Sequence, residues 1–564
     1  MYILGVSFLA DTGAVLLKDG VLLEAVNEER FNRNKLTQDS PRMAVKYLLE
    51  KYKLRMDDID CVATHGALDP SQMHLNQFLI KEKEIISSEI SNQKEQLISL
   101  WSRYAREKYV RNVRTKNHLA SLREFRDELK IYKHHHCHAA SAAYMSGFDE
   151  CHVLTMDGWG EDGSATWNEF KAFDLVVLDR TPTFSSLGYF YGAITKFLGF
   201  TPHKDEGKTL GMSAYGDSQL LYPIFSKMIK YNSKKKTFDG LYEEGIYVAD
   251  FDNPNLSRVL EGYKKEDIAA AAQKILEDVV VDFLNDRMDK PGNLAVAGGI
   301  FANILLNKKI IESTPVKSIY IFPHMGDGGL SHGAAMLCHR EVSSKPFVPP
   351  KTMYLGSGFS DEEIEEELIK CGVSYEAPQD VEEEVATLLV DRNVVAVVSG
   401  RMEYGPRALG GRSVLVHPND RKLANWVNKQ LQRPDFMPFG PVTLAEEASK
   451  YYLDIERYYP NTSFMTIGVM CTDFMKEHCE GCVHVDGTAR PQLISMDQNP
   501  AYYKILKQFS KKTGIATLIN TSFNIHEEPI VCTPEDAIRS IKSTNIQYLM
   551  IGKFLVHNIG TDSS

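Results

Sequence analysis

The sequence predicts an α/β protein that is built from two domains. Short apolar stretches that end at glycine or polar residues alternate with segments of helical periodicity along the chain. The 564 residues exceed what one hydrophobic core usually holds. A proline-rich stretch at 343–351 has the composition of a linker. We therefore expect a first domain at 1–345, a linker at 346–360 and a second domain at 361–564.

The individual elements follow from apolar runs and from the turns that bound them. The chain opens with three apolar strands that are separated by Asp-Thr-Gly and Lys-Asp-Gly turns. Apolar residues at helical spacing indicate a long helix at 264–287. The predicted strands lie at 2–7, 14–17, 21–26, 60–65, 151–156, 293–297, 318–322 and 394–399, and the predicted helices at 43–52, 76–130, 264–287 and 361–370. The sequence shows no internal repeat.

Composition narrows the class of protein. The chain is 43% hydrophobic and 25% charged, and its net charge of −11 argues against broad, non-specific binding of polyanions. Nine scattered cysteines do not suggest a disulfide framework, and Met1–Ser7 lacks the basic region of a signal peptide. No apolar run is long enough to span a membrane. We expect a cytoplasmic protein without a membrane segment. A homodimer is an open alternative for its assembly.

Four histidines crowd into the segment 134–138. On a helix, His134 and His138 lie four residues apart, so both imidazoles project from one face and can hold one metal ion. No glutamate stands between them as in a zinc-protease motif. The alternative is an exposed histidine run, but such tags occur at termini, whereas this run lies between patterned segments. The pattern favours a metal or catalytic site.

Carboxylates and glycine pairs follow several predicted strands. Asp157 ends one strand on a glycine-rich turn, and Asp327 follows another strand. Gly298 and Gly299 lie between a strand and a helix start, where backbone N–H groups can bind a phosphate. The sequence therefore predicts metal or phosphate ligands at these strand ends.

Cations and hydroxyls cluster on glycine-bounded turns in the second half. Arg407 and Arg412 are five residues apart and can form a fork for a phosphate or a carboxylate. The further members of this set are Lys429, Arg433, Arg490, Asn520 and Ser522. A surface salt bridge is the alternative for any single arginine, but the whole set predicts an anionic, phosphate-bearing substrate.

Two further patterns each leave an alternative open. A basic segment with interleaved aromatic residues contains Arg103, Arg106, Lys108, Arg111, Arg114 and Lys116. Such a segment suits contact with a nucleic acid, and the alternative is a solvated helix face. Cys479 and Cys482 have the spacing of a zinc knuckle, with Cys471, His478 and His484 nearby. Because no second Cys-x-x-Cys pair exists, structural zinc is only one interpretation.

Taken in order, these motifs resemble the O-carbamoyltransferases of the nodulation-factor, cephamycin and tobramycin type, nearly end to end. The markers are Glu28–Lys35, His134–Ala139, Met156–Gly158, Gly211–Gly216, Gly298–Asn307, Gly326–Gly329, Met402–Gly410, Asp486–Arg490 and Asn520–Asn524.

The resemblance implies a fold and a reaction. The first domain is expected to be actin-like, as in threonylcarbamoyl-transferring proteins, and the second to resemble the domain that makes threonylcarbamoyl-adenylate. In the family, carbamoyl phosphate and ATP react in the second domain to give carbamoyl-adenylate. A metal-assisted transfer in the first domain then moves the carbamoyl group to an acceptor hydroxyl and releases AMP. The implied cofactors are a divalent metal, which is Fe²⁺ in the relatives, and ATP with Mg²⁺.

The resemblance also implies roles for individual residues. The implied metal ligands are His134, His138, Asp157 and Asp327, and the implied catalytic groups are His135, His138 and Asp11. The implied nucleotide contacts are Lys208, Gly298, Gly299, Asn303, Asn307, Gly326 and Gly328. The implied carbamoyl phosphate contacts are Arg407, Arg412, Lys429, Arg433, Arg490, Asn520 and Ser522.

Three positions depart from the family pattern. Ala10 stands where relatives commonly carry a histidine before the aspartate that is Asp11 here, so another group must assist the transfer or the acceptor is oriented differently. Leu36 follows Lys35 where relatives often have histidine, and Met437 stands where many have arginine. Lys429 is a candidate substitute for the usual lysine that contacts phosphate.

The sequence does not name the acceptor, but the basic segment and the altered first turn bear on it. Together they favour a nucleic acid, hydroxymethylcytosine in DNA, which viral relatives modify. The rival acceptor is a small sugar or antibiotic hydroxyl. Two other classes stay open: an actin-like kinase or hydrolase, which would release ADP, and a non-catalytic ATP-binding module.

Overall fold

The computed structural model describes residues 1–8, 10–66, 113–126, 128–161, 163–240, 246, 251–431, 439–525 and 527–558. The chain divides into two compact units. The first unit comprises Met1–Leu22, Thr37–Ala302 and Lys309–Pro349. The second comprises Leu23–Leu36, Asn303–Lys308 and Pro350–Ser564. Within the described residues, no helix is both long and apolar enough to cross a bilayer.

Strands and helices alternate, which confirms the predicted α/β class. The strands before the linker are β1 Tyr2–Val6, β2 Gly13–Lys18, β3 Val21–Asn27, β4 Cys61–His65, β5 Leu129–Tyr132, β6 Glu150–Met156, β7 Ala165–Lys171, β8 Asp174–Thr181, β9 Ile229–Asn232, β10 Thr237–Gly240, β11 Gly292–Ala297 and β12 Val316–Ile321. The helices there are α1 Glu29–Asn32, α2 Arg42–Lys51, α3 His134–Met145, α4 Leu187–Phe197, α5 Glu206–Ser213, α6 Tyr222–Phe225, α7 Pro254–Leu260, α8 Lys265–Arg287, α9 Ile304–Ser313 and α10 Leu330–Val342.

The remaining elements follow the linker. The strands are β13 Tyr375–Glu376, β14 Val395–Val398, β15 Arg412–Val416, β16 Gly440–Leu444, β17 Val469–Met470, β18 Thr488–Ala489, β19 Gln492–Ile494, β20 Thr517–Ser522, β21 Tyr548–Ile551 and β22 Phe554–His557. The helices are α11 Asp361–Lys370, α12 Val381–Val390, α13 Arg421–Gln430, α14 Ala448–Tyr451, α15 Asp473–His478, α16 Pro500–Thr513 and α17 Pro534–Lys542. The helix predicted at 361–370 is confirmed to the residue.

Two five-stranded sheets with the same strand order are formed mainly by the first unit, and only β3 is divided between the two units, after Leu22. One sheet runs β3-β2-β1-β4-β5 and the other β8-β7-β6-β11-β12. In the first sheet the central strand β1 is antiparallel to β2 and parallel to β4. In the second sheet the central strand β6 is antiparallel to β7 and parallel to β11. The duplication is therefore topological, and it is invisible as a sequence repeat.

Two helices cross over between these sheets. α3 follows the first sheet but packs on β6 and β11 of the second, whereas α10 follows the second sheet but packs on β1 and β4 of the first. The two helices also pack on each other. Gly333 of α10 permits this approach, because a Cβ there would lie 1.9 Å from the carbonyl oxygen of Cys137. The small residues that follow the histidines, Ala139 to Ala143, are buried for the same reason.

Replacing Gly333 by Ala is expected to destabilise the first unit by about 1–3 kcal/mol, because the two helix backbones must separate to admit the methyl group. The matched control is Gly207→Ala in α5, where a Cβ would meet nothing within 4 Å. That change is expected to be neutral or slightly stabilising. Thermal unfolding of both variants checks the prediction, and equal unfolding temperatures would contradict it.

The second unit is built on one eight-stranded sheet, in the order β13-β22-β21-β14-β15-β20-β16-β19. The segment 23–36 belongs to this unit although it is near the N-terminus. Arg33 donates hydrogen bonds to the carbonyl oxygens of Pro529, at 2.7 Å, and Ile530, at 2.9 Å. Arg30 donates to the carbonyl oxygen of Gly405 at 3.3 Å. The charged motif at 28–35 is thus a structural part of the second unit.

One predicted helix is wrong at its C-terminal end. Residues 129–132 form β5, which pairs in parallel with β4, rather than the end of a helix at 76–130. The described part of that region is helical from 113 to 122. Most of the predicted helix, 76–112, lies outside the described residues. Pairing with β4 is a long-range contact, so local charge patterning does not report it.

Candidate active site

Four side chains from three elements converge in the first unit. They are His134 and His138 of α3, Asp157 after β6 and Asp327 after β12, and one ligand atom of each lies within 4.8 Å of all the others. Asp157 Oδ2 lies 3.0 Å from His138 Nε2 and 3.4 Å from His134 Nε2. Asp327 Oδ1 lies 3.5 Å and 3.6 Å from the same two nitrogens. The four predicted metal ligands therefore lie together.

Local structure explains why these four meet. The two histidines occupy positions i and i+4 at the start of α3 and so share a face. Asp157 follows the carboxyl end of β6, and its Oδ1 accepts the N–H of Gly158 at 2.7 Å. Glu161, which sequence reasoning missed, accepts the backbone N–H of His134 at 2.9 Å. Nothing in the local pattern marks Glu161, because its partner lies 27 residues away.

The electrostatics suit a divalent cation. Burial opposes ionisation of Asp157, but hydrogen bonds from His134 and His138 hold its pKa well below its usual value. Burial also disfavours the charged form of His134, yet Asp327 and Asp157 together raise its pKa to about 9. Asp327 Oδ1 is buried without a hydrogen-bond partner. Two imidazole nitrogens and two carboxylate oxygens form a donor set that binds divalent transition metals.

The predicted catalytic role of His135 is not supported by this geometry. Its Nδ1 lies 2.8 Å from the hydroxyl of Thr155, and its Nε2 lies 3.0 Å from the carbonyl oxygen of Gly163. A carbonyl can only accept, so Nε2 carries the proton and Nδ1 accepts from the hydroxyl. Burial holds the pKa of His135 well below its usual value. The lone pair of Nδ1 is therefore occupied by the Thr155 hydroxyl, and this hydrogen bond links α3 to β6 of the second sheet.

Close packing explains why glycine occupies positions 298 and 299. Gly298 has φ +109°, and a Cβ there would lie 2.1 Å from the carbonyl oxygen of Met156. A Cβ on Gly299 would lie 3.2 Å from Asp157 Oδ1, so this turn packs directly on a predicted metal ligand. Gly326 is different, because a Cβ there would meet nothing within 4 Å. A nucleotide contact through these turns remains a proposal.

The other predicted nucleotide contacts have structural partners. Asn303 accepts the N–H of Leu306 at 3.0 Å and so caps α9. Asn307 is fully buried and donates to the carbonyl oxygen of Thr466 at 2.7 Å. A nucleotide contact of Asn307 is therefore not supported in this conformation. Lys208 forms an ion pair with Asp205 at 2.8 Å.

In the second unit, Arg407 is placed to bind an anionic substrate. Its Nε is buried without a hydrogen-bond partner. Burial lowers its pKa to about 10, so the guanidinium stays charged at neutral pH. A half-buried cation whose Nε is shielded from water favours an anionic ligand that would replace the lost hydration.

The backbone that carries Arg407 is held in place by a buried carboxylate. Glu403 is 3% exposed, and its Oε1 accepts the N–H groups of Leu409 at 2.6 Å, Gly411 at 2.7 Å and Arg412 at 3.2 Å. Sequence reasoning missed Glu403, since an acid in an arginine-rich turn looks like a solvent-exposed partner. Three N–H groups on one oxygen make this loop rigid.

Arg407, Arg490 and Ser522 each lie next to a hydrogen-bonded trio. Asn520 donates to the carbonyl oxygen of Ala408 and to Gln492 Oε1, both at 3.0 Å. Arg407 precedes Ala408, Arg490 lies two residues before Gln492, and Ser522 lies two residues after Asn520. The network therefore brings the backbone near Arg407, Arg490 and Ser522 together, and Asn520 itself connects the segments that carry them.

Arg412 is not placed as predicted. It is fully buried, and its guanidinium donates to the carbonyl oxygens of Ser357, Gly400, Gly411 and Cys532 at 2.8–3.3 Å. Those bonds use its donors for the fold, so a fork of Arg407 and Arg412 is not supported. Lys429 is exposed on α13, and Arg433 and Met437 lie outside the described residues.

Two other sequence hypotheses can be placed only in part. Arg103, Arg106, Lys108 and Arg111 lie outside the described residues, whereas Arg114 and Lys116 are exposed on the helix at 113–122. Cys479 and Cys482 are buried free thiols, and burial raises the pKa of Cys479 to about 12. The described residues contain one group of three or more candidate metal ligands, and it does not include these cysteines. The zinc knuckle is therefore not supported.

Comparison with known proteins gives the same family along the whole chain. A family model described as Carbamoyltransferase N-terminus matches residues 2–336, and one described as Carbamoyltransferase C-terminus matches residues 386–558. Nodulation protein NolNO of Sinorhizobium fredii is 31% identical over 98% of this chain and 79% of that protein. Nodulation protein NolO of Bradyrhizobium diazoefficiens is 31% identical over 75% of this chain and 78% of that protein. An uncharacterized protein of Methanocaldococcus jannaschii is 37% identical over 77% of this chain and 74% of that protein. The two models match in order, NolNO is related along almost the full length, and the resemblance seen in the sequence is confirmed: the protein is a transferase that belongs to the carbamoyltransferase family.

Proposed function

We propose that the protein is an ATP-dependent O-carbamoyltransferase that uses carbamoyl phosphate and a metal ion to modify an acceptor hydroxyl. The observation that carries the proposal is the group formed by His134, His138, Asp157 and Asp327. Two buried imidazoles and two partly buried carboxylates are costly to bring together unless a cation binds between them. The donor set suits Fe²⁺, which acts on a carbamoyl carbonyl as a Lewis acid when bound.

The second unit supplies the other half of the proposal. Arg407, held by Glu403 on a rigid loop, would bind the phosphate of carbamoyl phosphate, and Arg490 and Ser522 would complete the contact. We infer that carbamoyl phosphate is first hydrolysed there to carbamate and inorganic phosphate. A carbamate oxygen then bonds to the α-phosphorus of ATP, and the bond from that phosphorus to pyrophosphate breaks, which leaves carbamoyl-adenylate. The first unit would then transfer the carbamoyl group to the hydroxyl, with AMP as the leaving group.

The nucleotide products test this scheme against an actin-like kinase or hydrolase. We expect pyrophosphate to form from ATP only when carbamoyl phosphate is present, and AMP to appear when an acceptor is added. ADP that forms without carbamoyl phosphate would support the kinase or hydrolase and contradict the proposal. Chromatography of the nucleotides, with and without carbamoyl phosphate, distinguishes the two.

For the acceptor we propose hydroxymethylcytosine in DNA, with a small sugar or antibiotic hydroxyl as the rival. Arg114 and Lys116, exposed on one helix, support a contact with a polyanion. Replacing Arg111 and Arg114 together by Ala is expected to weaken DNA binding and to reduce the slope of log affinity against log salt by about 2. The matched control is Arg421→Ala with Lys422→Ala, two exposed cations of α13. Equal slopes for both double variants would reject DNA as the acceptor.

A further inference from the structure

The turn between β1 and β2 carries Asp11 close to Gly328, the residue after Asp327. Asp327 belongs to the four candidate metal ligands His134, His138, Asp157 and Asp327, which we call the metal-ligand group. Asp11 has φ +48°, a left-handed conformation that aspartate tolerates better than most residues. Two backbone hydrogen bonds hold the turn: Ser7 donates to Gly13 at 3.0 Å, and Thr12 donates to Thr37 at 3.2 Å. These two bonds restrain the backbone on either side of Asp11 and so help to fix the position of its carboxylate.

His324 reaches the same place from another element. It follows β12, and its Nε2 lies 3.7 Å from Asp11 Oδ2. The His324 side chain is 3% exposed, whereas that of Asp11 is 17% exposed. The His324 imidazole is thus buried behind the Asp11 carboxylate, and an incoming molecule can reach the carboxylate.

Gly328 shows how closely this pair approaches the metal-ligand group. A Cβ on Gly328 would lie 2.2 Å from Cε1 of His324 and 2.4 Å from Oδ2 of Asp11. Gly328 directly follows Asp327, so the pair packs on the backbone next to a predicted metal ligand. The backbone of His324 is held as well, because a Cβ on Gly329 would lie 2.2 Å from its carbonyl oxygen.

We propose that His324 is a positioning residue that holds Asp11 as the proton acceptor of the transfer step. This inference rests on the proposed function. The acceptor hydroxyl gives its proton to Asp11 Oδ2, and its oxygen forms a bond to the carbamoyl carbon. The bond from that carbon to the phosphate oxygen breaks, and AMP leaves with the electron pair. The residue before Asp11 is Ala10, so the imidazole beside this carboxylate comes from His324.

The test is His324→Gln, assayed in two separate reactions. We expect kcat for transfer to the acceptor to fall about 10- to 100-fold with an unchanged KM for the acceptor. Pyrophosphate release in the absence of acceptor is expected to keep its wild-type rate. The matched control is His339→Gln, a buried histidine of α10 whose Nε2 lies 2.9 Å from the carbonyl oxygen of Lys345. The control is expected to keep kcat.

The outcomes separate this inference from the proposed function. An active wild type with an unchanged kcat in His324→Gln, or with a change in KM alone, overturns the role of His324. If His324→Gln does not fold, Asp11→Asn gives the decision: the same loss in kcat supports the pair, and an unchanged kcat overturns it. A wild type that releases pyrophosphate but never carbamoylates any hydroxyl contradicts the proposed function itself.

Discussion

Replacing His138 by Ala is expected to remove the metal from the first unit and to lower carbamoyl transfer at least about 100-fold. His138 is fully buried, and its Nε2 contacts both Asp157 and Asp327. Without it, three ligands remain, and two partly buried carboxylates lose a shared partner. We expect pyrophosphate release from ATP to continue, because that step is assigned to the second unit.

The matched control for His138 is its neighbour His136. His136 lies on the same helix and is half-buried, but it does not belong to the group of four ligands. His136→Ala is expected to keep its metal content and its transfer rate. Elemental analysis of both purified variants, alongside the two rates, checks the prediction. A His138→Ala protein that retains stoichiometric metal would contradict the assignment of the ligands.

Replacing Arg407 by Ala is expected to lower pyrophosphate release and to keep the metal, which is the reverse of the result expected for His138→Ala. Loss of a charge-assisted contact to a phosphate should weaken use of carbamoyl phosphate by about 10- to 100-fold. Pyrophosphate release should fall with it, while the metal content stays that of the wild type. Lysine at this position is not expected to restore full activity, because it lacks the planar fork of arginine.

The control for Arg407 is Arg421→Ala, which removes an exposed cation at the start of α13. The measurement is pyrophosphate release as a function of carbamoyl phosphate concentration. An Arg407→Ala enzyme with wild-type KM and kcat would remove Arg407 from the substrate site. The His138 and Arg407 variants together separate carbamoyl transfer, proposed for the first unit, from pyrophosphate release, proposed for the second.

The meeting of His134, His138, Asp157 and Asp327, which could hold a metal ion, could largely be predicted from the sequence. Spacing on a helix brings His134 and His138 to one face, and a carboxylate that follows a strand lies at the edge of its sheet, as Asp157 and Asp327 do. These are local rules, and they do not require knowledge of the tertiary packing. The same locality explains why the helix at 361–370 was predicted to the residue.

The remaining features depend on contacts that sequence patterns do not report. Arg412 looks like a substrate ligand until its donors are seen on four backbone carbonyls. Glu403 looks like a surface acid until it is seen to accept three N–H groups. His324 and Asp11 are 313 positions apart in the chain, and only the tertiary fold brings them together. Long-range packing decides which polar residues are already satisfied.

The most direct test of the central claim is the mass of candidate acceptors after incubation with the protein, carbamoyl phosphate, ATP and Fe²⁺. The panel contains DNA with hydroxymethylcytosine beside small sugars and alcohols. We expect one acceptor to gain the mass of a carbamoyl group in place of a hydrogen, with one AMP released per modified hydroxyl. Release of AMP without any modified acceptor in a broad panel, or a modification that proceeds without ATP, would contradict the account.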